Sequence, residues 1–417
     1  MTNRILGLII ISILLIIIDI YIYRAIRSVS WKWKGKKHLS FTYIWWGYTF
    51  LLIAGVFISI FFNIKFLLRS IILVVFFLTF VSKIFILPFL IADDLRRGMV
   101  WLRRKFKGKE ERETGKETVI PRSEFLIKAG TLVAAIPLAS LTYGVVSSAY
   151  DYRIKRRTLY LPNLPKAFDG IKLGQLSDIH SGSFYDRKAV IGGVELLLKE
   201  KPDMIFFTGD LVNNMASEMR DYQDIFSKIQ APLGVFSVLG NHDYGDYHYG
   251  PGSSAAKIKN LSDVKQTHKN MGWDLLLNEN RRLKVDGEEI AVLGIENWGA
   301  GRFTKYGRMD LAVKDTDDVP VKLLLSHDPS HWRAQVLPGY PQIDAMFSGH
   351  THGMQFGLVT EKFQWSPAQY VYKEWAGHYQ EKQQQLYVNV GFGFLGYPGR
   401  VGILPEITIF ELRPGNS

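Results

Sequence analysis

Hydrophobic positions divide the chain into two parts of different character. The first 150 residues contain four long apolar runs, near residues 5–23, 41–62, 66–90 and 125–149. A helix needs about 20 apolar residues to cross the hydrocarbon core of a bilayer, and the first three runs meet that length. The fourth run is richer in Ala, Gly and Ser and contains Pro137. Three or four transmembrane helices are therefore predicted.

After residue 150 the pattern changes to short apolar runs that end in polar clusters. The runs predicted to form strands are Ile171–Leu176, Met204–Thr208, Val235–Leu239, Ile290–Ile295, Val321–Leu325, Ala345–Phe347, Tyr387–Val390 and Ile407–Leu412. Helical patterns lie between several of them, as at Arg187–Lys201 and Ala255–Met271. This alternation predicts a transmembrane region over residues 1–150 and an α/β domain over residues 151–417.

Cations between the apolar runs predict the orientation in the membrane, since loops rich in Lys and Arg stay in the cytoplasm. The cations after the first run are Arg24, Arg27, Lys32, Lys34, Lys36 and Lys37, and those after the third are Arg96, Arg97, Arg103, Arg104, Lys105, Lys107 and Lys109. If the fourth run crosses, the C-terminal domain lies outside the cytoplasm. The segment Pro121–Leu126 also resembles a twin-arginine export signal, with Pro121 in place of the first arginine. The basic run Arg153–Arg157 argues for the opposite side, so a cytoplasmic domain stays open.

Composition narrows the classes of function. The chain has 417 residues and no cysteine, which excludes disulfides, thiolate metal ligands and thiol chemistry. A net charge of +12 would suit nucleic acid, but much of the excess lies in the loops between the apolar runs, where membrane topology explains it. A lipid membrane is the expected partner and nucleic acid is not, whereas the oligomeric state is not predicted.

Five polar clusters follow five of the apolar runs. They are Ser177–His180, Gly209-Asp210, Gly240–Asp243, Ser326–Asp328 and Gly349–Gly353. Ligands of α/β folds bind beyond the carboxyl ends of the strands, which is where these clusters fall. Imidazole and carboxylate together suit divalent Mn, Fe, Zn or Co. In an extended backbone, residues i and i+2 face the same side, so Asp178 and His180 can converge on one site, as can His350 and His352.

These residues, in this order, resemble the calcineurin-like metallophosphoesterase family, in its membrane-associated bacterial branch. The resemblance covers about Leu159 to Leu412 and implies a four-layer α/β/β/α sandwich with two divalent metal ions, manganese first and iron, zinc or cobalt as alternatives. The implied ligands are Asp178, His180 and His352 for the first ion, Asn241, His327 and His350 for the second, and Asp210 between the two.

The resemblance also implies an activity, the hydrolysis of a phosphodiester, a phosphomonoester or a pyrophosphate by attack of metal-bound hydroxide. His242 would contact the phosphoryl oxygen or protonate the leaving alkoxide. Asn213 stands where many relatives have an aspartate that orients this histidine. Asn213 and Arg400 are candidates for contact with the substrate.

Two aromatic stretches flank the clusters. Tyr244–Tyr249 is either a lid over the site or a surface loop, and Phe363–Tyr379 is a candidate wall for an apolar or lipid-like substrate. The expected location is a bacterial inner membrane, crossed several times, with the C-terminal domain on the extracytoplasmic side.

Two alternative functions stay open: a cytoplasmic-facing hydrolase of a nucleotide-linked lipid precursor, and a non-catalytic membrane binding module. Retention of all seven ligands disfavours the second.

Overall fold

The structure is a computed structural model that describes residues 2–29, 36–62, 64, 66–106, 120–250, 252–301, 303–360 and 363–415. It divides into two compact units, Met1–Tyr143 and Gly144–Ser417. The loop cations Lys32, Lys34, Lys107 and Lys109, used above to predict topology, lie outside the described residues.

The first unit consists of long helices. They are α1 (Thr2–Val29), α2 (Lys36–Phe61), α3 (Phe66–Phe106) and α4 (Glu124–Tyr143). In the described part of the chain, four stretches are long and apolar enough to cross a membrane: Leu6–Val29, Leu39–Phe61, Ile71–Phe106 and Glu124–Ser148. Four candidate spans are thus present, and the fourth includes the run whose crossing the sequence left open. The third is longer than predicted because the helix continues past Pro88 into the basic segment.

Polar side chains inside this unit pair with each other. Lys83 Nζ lies 2.5 Å from Oδ1 of the buried Asp19, whose Oδ2 accepts a hydrogen bond from Thr49 at 2.6 Å. Arg122, from the segment that resembles an export signal, lies 3.2 Å from Asp94 and packs over the Tyr21 ring. That segment is therefore bound to the other helices of the unit.

The second unit contains two six-stranded sheets and a two-stranded hairpin. The first sheet has the order β1-β14-β2-β3-β4-β5, the second β12-β13-β9-β8-β7-β6, and the hairpin is β10-β11. The strands are β1 Arg153–Leu161, β2 Lys172–Leu176, β3 Met204–Phe207, β4 Val235–Ser237, β5 Asp274–Leu275, β6 Glu279–Val285, β7 Glu288–Gly294, β8 Lys322–Leu325, β9 Ala345–Ser348, β10 Leu358–Val359, β11 Gln364–Trp365, β12 Gly377–Glu381, β13 Gln384–Val388 and β14 Glu406–Pro414.

Helices cover the outer faces of the two sheets, which gives the four layers that the family resemblance implies. The helices are α5 Arg187–Lys199, α6 Gln223–Phe226, α7 Asp246–Tyr249, α8 Ala255–Asn270, α9 Met309–Ala312 and α10 Leu337–Gly339. One apolar cluster lies between the first sheet and α5, α6 and α8, and another covers the far face of the second sheet. A third lies between the sheets, where the rings of Phe206 and Phe347 meet at 5.2 Å.

All eight predicted strands are present, with ends that differ by a few residues. The largest shift is at Tyr387–Val390, where β13 ends at Val388. The basic run that complicated the topology forms β1, which pairs in parallel with β14. Lys155 of this strand lies 2.5 Å from the buried Glu406, and Arg156 forms an ion pair with Glu200 at 2.6 Å. This strand could not be predicted from an apolar run because it is rich in cations. The fold accommodates these cations because they have acidic partners.

Candidate metal centre

The seven predicted ligands lie beyond the carboxyl ends of five strands. They are Asp178 and His180 after β2, Asp210 after β3, Asn241 after β4, His327 after β8, and His350 and His352 after β9. Strands β2, β3 and β4 are parallel to one another, as are β8 and β9. The ligands of each sheet therefore share one edge, and the two edges meet.

The first group consists of Asp178, His180 and His352. One ligand atom from each lies within 4.8 Å of the others, and all three residues are buried. The Nε2 atoms of His180 and His352 are 3.0 Å apart, and His352 Nε2 is 3.3 Å from Asp178 Oδ1. Three donors that face one point at these distances suit a single divalent ion.

The second group consists of Asp210, His327 and His350, again with ligand atoms within 4.8 Å of one another. His327 Nε2 is 3.1 Å from Asp210 Oδ2 and 3.2 Å from His350 Nδ1. The same Asp210 oxygen is 3.5 Å from His180 Nε2 of the first group. One carboxylate thus faces both groups, which is the position of a bridging ligand.

Asn241 supplies an oxygen donor beside the second group. Its Nδ2 donates to Tyr247 Oη at 3.1 Å, while its buried Oδ1 has no partner among the residues that the structure describes. An unsatisfied buried carbonyl is costly unless it meets a cation or a water molecule. The donor set therefore fits two divalent ions, with Asn241 next to the second.

Backbone conformation brings these side chains together at a cost. Five of the seven ligands have positive φ angles between 48° and 73°: Asp178, His180, Asp210, His350 and His352. Residues with a Cβ avoid this region, and each instance costs about 1–3 kcal/mol. The backbone of one ligand loop also lies very close to another at Gly349, where an added Cβ atom would overlap Ser177 and Asp178. Such strain is typical of a site that the surrounding fold holds in place.

Hydrogen bonds fix the orientation of two ligand rings. His327 donates from Nδ1 to the Thr208 carbonyl at 2.7 Å, which directs Nε2 into the site. His350 Nε2 lies 2.8 Å from Tyr372 Oη, which leaves Nδ1 facing His327. Partners of this kind orient imidazole ligands in metal sites.

Burial and neighbouring groups set the protonation states. Burial lowers the pKa of His180 and of His350, which keeps both rings neutral. Burial alone would raise the pKa of Asp210, but His327 and His242 outweigh it and hold that pKa well below its ordinary value. Burial disfavours charge on His327 as well, yet Asp210 raises the pKa of His327 to about 10. An ion that binds His327 must therefore displace a proton.

His242, the predicted catalytic histidine, lies at the edge of this centre. Its Nδ1 donates to the Asn213 carbonyl at 2.8 Å, and its ring meets His180 edge-on at 4.9 Å. The Asn213 loop is held in turn by Glu218, whose carboxylate accepts backbone N–H bonds from residues 213, 214 and 215. A main-chain oxygen thus orients His242, at the position where the family resemblance implies a carboxylate.

The two candidates for substrate contact have partners within the fold. The Asn213 side chain is bonded to Ser183, with Nδ2 donating at 3.0 Å. Arg400 is fully buried and donates to the carbonyls of Val390 and Gly393, and its Nη2 lies 3.2 Å from His352 Nδ1. Burial lowers the pKa of Arg400 to about 10. Arg400 therefore positions the loop behind His352.

The structure adds residues whose roles the sequence did not reveal. The buried Asp243 accepts backbone N–H bonds from Asp210, Leu211, Val212 and Gly240, which joins the loops after β3 and β4. Its position within the Gly240–Asp243 cluster was the only sequence signal for it.

Ends of parallel strands that gather carboxylate and imidazole around a shared aspartate are suited to a pair of divalent metal ions, and comparison with known proteins identifies the chain as a metal-dependent phosphoester hydrolase. Two family models match the chain: "Probable Calcineurin-like phosphoesterase, transmembrane domain" over residues 3–149 and "Calcineurin-like phosphoesterase" over residues 171–354. The chain belongs to the calcineurin-like metallophosphoesterase family and is a membrane protein within it.

Relatives from bacteria and animals carry the same description. The "Uncharacterized metallophosphoesterase YkuE" of Bacillus subtilis is 29% identical over 298 residues, which cover 69% of this chain and 95% of that protein. The "Transmembrane protein with metallophosphoesterase domain" of Danio rerio is 28% identical, and the match covers 68% of this chain but 62% of that protein. A solved dimetal phosphatase from Danio rerio has a TM-score of 0.30 at 13% identity, covering 54% of this chain and 88% of that one.

Proposed function

We propose that the protein hydrolyses a phosphodiester, phosphomonoester or pyrophosphate of a lipid-linked substrate at a two-metal centre. The observation that carries this proposal is the position of Asp210 Oδ2, within 3.5 Å of an imidazole from each ligand group. A carboxylate shared between two sets of donors is suited to two cations, which would replace the proton on His327 as its compensating charge. Residues 1–150 act as the membrane anchor and residues 151–417 as the catalytic domain.

Two divalent ions, manganese in the first instance, would supply positive charge to the phosphoryl oxygens and lower the pKa of a coordinated water. Asp178, His180 and His352 would hold one ion, and Asn241, His327 and His350 would hold the other. The chain itself provides the rigid frame: strained ligand backbones, oriented rings and the Asp243 carboxylate that joins two of the loops.

His242 is the general acid of this proposal. Its Nδ1–H is committed to the Asn213 carbonyl, so Nε2 is the atom that can contact a phosphoryl oxygen or deliver a proton to the leaving alkoxide. Tyr247 stacks on the His242 ring at 4.5 Å and restricts its rotation. The Asn213 carbonyl and the Tyr247 ring therefore hold the His242 ring in one orientation.

Aromatic side chains line the space where the rest of the substrate would lie. A cavity of about 230 Å³ beside Asn241 is bounded by Tyr244, Tyr247, Phe303 and Tyr306. Tyr247 comes from the first predicted aromatic stretch, and Tyr372 of the second contacts His350. An aromatic wall next to a metal centre favours an ester with an apolar or ring-bearing group.

The proposed location is a bacterial inner membrane with the catalytic domain on the extracytoplasmic side. The support is the excess of cations in the loops after the first and third spans, together with an even number of candidate spans. The cations of β1 weigh less against this orientation, because Lys155 and Arg156 have acidic partners within the fold. A membrane-impermeant maleimide that labels Ile258→Cys only after the cells are opened would place the domain in the cytoplasm.

Turnover by the purified full chain tests the function. The assay compares a bis-aryl phosphate diester with an aryl phosphate monoester, with Mn²⁺ or with a chelator. We expect metal-dependent turnover that is lost in Asp210→Asn and retained in Asp263→Asn, the same chemical change on the exposed face of α8. A folded, metal-loaded protein that cleaves neither ester in micelles or in lipid would support the binding-module alternative.

A further inference from the structure

The last residues of the fourth candidate span belong to the second compact unit. The span Glu124–Ser148 ends four residues after that unit begins at Gly144. The Gly144 carbonyl accepts a hydrogen bond from the Arg400 backbone N–H at 3.2 Å, and the Val145 carbonyl accepts one from Tyr185 Oη at 2.8 Å. The surface formed by the Arg400 loop therefore lies beside the residues that end this candidate span.

The segment after the ligand His352 runs along this same surface. Gly357 N–H donates to the Val401 carbonyl at 2.9 Å, and Val401 N–H donates to the Gln355 carbonyl at 2.8 Å. Gln355 Nε2 also donates to the Tyr397 carbonyl at 2.7 Å. The chain that enters the hairpin β10-β11 is thus one backbone spacing, about 5 Å, from residues that contact the end of the span.

The hairpin and its neighbours expose large apolar side chains. This apolar rim consists of Met354, Phe356, Leu358, Val359, Phe363, Tyr370 and Val371. Several members meet around Trp365, which pairs with Leu358 across the hairpin, lies 6.3 Å from the Phe356 ring and donates from Nε1 to Tyr370 Oη at 3.4 Å. Contiguous apolar surface on this scale marks an interaction site.

We propose that the apolar rim inserts into the bilayer interface beside the exit of the fourth span, and so brings the metal centre to the lipid headgroups. The bilayer is the occupant because the rim is connected, through Val401 and Arg400, to residues of the span itself. Phe, Tyr and Trp are the side chains enriched at membrane interfaces, and the rim carries them next to Leu and Val. Insertion of the rim would favour a substrate whose ester lies in a lipid headgroup, and this consequence rests on the proposed function.

Depth measurements test the rim without reference to activity. Since the native chain has no cysteine, single cysteines can be placed in the full-length protein and labelled with a fluorophore. Leu358→Cys and Val359→Cys report on the rim, and Ile258→Cys on α8 is the matched control, since Leu358 is 53% exposed and Ile258 60%. The protein is reconstituted into phosphatidylglycerol–phosphatidylethanolamine nanodiscs with lipids that carry a nitroxide quencher near the headgroup.

We expect quenching at residues 358 and 359 to exceed that at residue 258 by about tenfold, since insertion would carry a label about 5–10 Å below the headgroups. Equal, weak quenching at all three positions overturns the proposal. Two rim positions keep the test valid if one variant fails to fold, which size-exclusion chromatography of each labelled protein would reveal.

A second experiment links the rim to turnover. The probes are two nitrophenyl phosphate diesters, one with a hexadecyl chain embedded in the nanodisc and one with a methyl group in solution. We expect the preference for the hexadecyl ester to fall about tenfold in Leu358→Asp/Val359→Asp and to persist in Ile258→Asp. An unchanged preference contradicts the role of the rim in turnover. If neither ester is cleaved by the native chain, the proposed function fails, while the depth measurement still decides whether the rim is inserted.

Discussion

The two units of this protein both bury ionisable side chains, but they compensate the charges differently. In the helical unit, the buried Asp19 meets Lys83 at 2.5 Å and the buried Asp93 meets Arg96 at 2.9 Å. In the second unit, Asp178 and Asp210 lie among histidines, and within the described residues neither forms an ion pair with a lysine or arginine. A carboxylate paired with a lysine or arginine is compensated by folding alone, whereas carboxylates among imidazoles are compensated only where an imidazole carries a proton, as His327 does in the metal-free protein. The first arrangement stabilises a bundle, and the second is suited to cations.

The largest expected effect comes from removing the shared charge. Asp210→Asn keeps the shape of the side chain but takes away the charge that faces both ligand groups. We expect kcat to fall on the order of 10³-fold, because the transition-state charge loses several kcal/mol of stabilisation. Steady-state turnover of the aryl diester measures this, with Asp263→Asn as the control. Activity within tenfold of the native protein would contradict a bridging role.

The same comparison predicts a loss of stability in the helical unit. Lys83→Met leaves Asp19 buried without its cation and should destabilise the protein by about 3 kcal/mol. The double variant Lys83→Met/Asp19→Asn should recover most of that loss, because no unpaired charge remains. Unfolding midpoints in detergent micelles measure both changes. Lys128→Met is the control, since Lys128 pairs with Glu124 on the exposed face of α4. Equal midpoints for the single and double variants would contradict the pairing.

His242→Gln should lower kcat by about 10²-fold and leave the metal content unchanged, because the ring acts on the substrate while Asn241 and Asp210 still hold the ions. The matched control is His331→Gln. His331 is buried, whereas His242 is half-buried, and the ring nitrogens of His331 bond to Ser326 and Gln335. Loss of metal in His242→Gln, measured by elemental analysis, would instead assign His242 to the ligand set.

The smallest effect, about tenfold for each pH unit, is on metal affinity. In the metal-free protein the pKa of His327 is raised to about 10, so this ring is protonated at neutral pH and an incoming ion must displace the proton. Affinity for Mn²⁺ should therefore rise about tenfold per pH unit between about pH 7 and 9 and level off above the pKa. Calorimetric titrations in buffers of different ionisation enthalpy would count the released proton. Affinity independent of pH would mean that His327 is already neutral before metal binds.

The grouping of these side chains could be predicted from the sequence because they follow apolar runs, and the ends of parallel strands share an edge whatever the details of packing. The four layers followed from the family resemblance. The features that could not be predicted from the sequence depend on contacts between segments that are far apart in the chain. The burial of Arg400 arises from carbonyls that the loops after β13 direct inward, and β1 owes its place to pairing with β14 at the far end of the chain. The positive φ angles of five ligands are likewise set by the surrounding loops, since nothing in an Asp or His predicts them.

Counting bound manganese tests the central claim most directly. The full chain, stripped of metal and then dialysed against Mn²⁺, would be analysed for metal content and by electron paramagnetic resonance. Two ions per chain with a spin-coupled signal, lost in Asp210→Asn, is the predicted result, because Asp210 Oδ2 faces both ligand groups. A native protein that binds a single ion, or two ions without magnetic coupling, would contradict a shared-carboxylate centre.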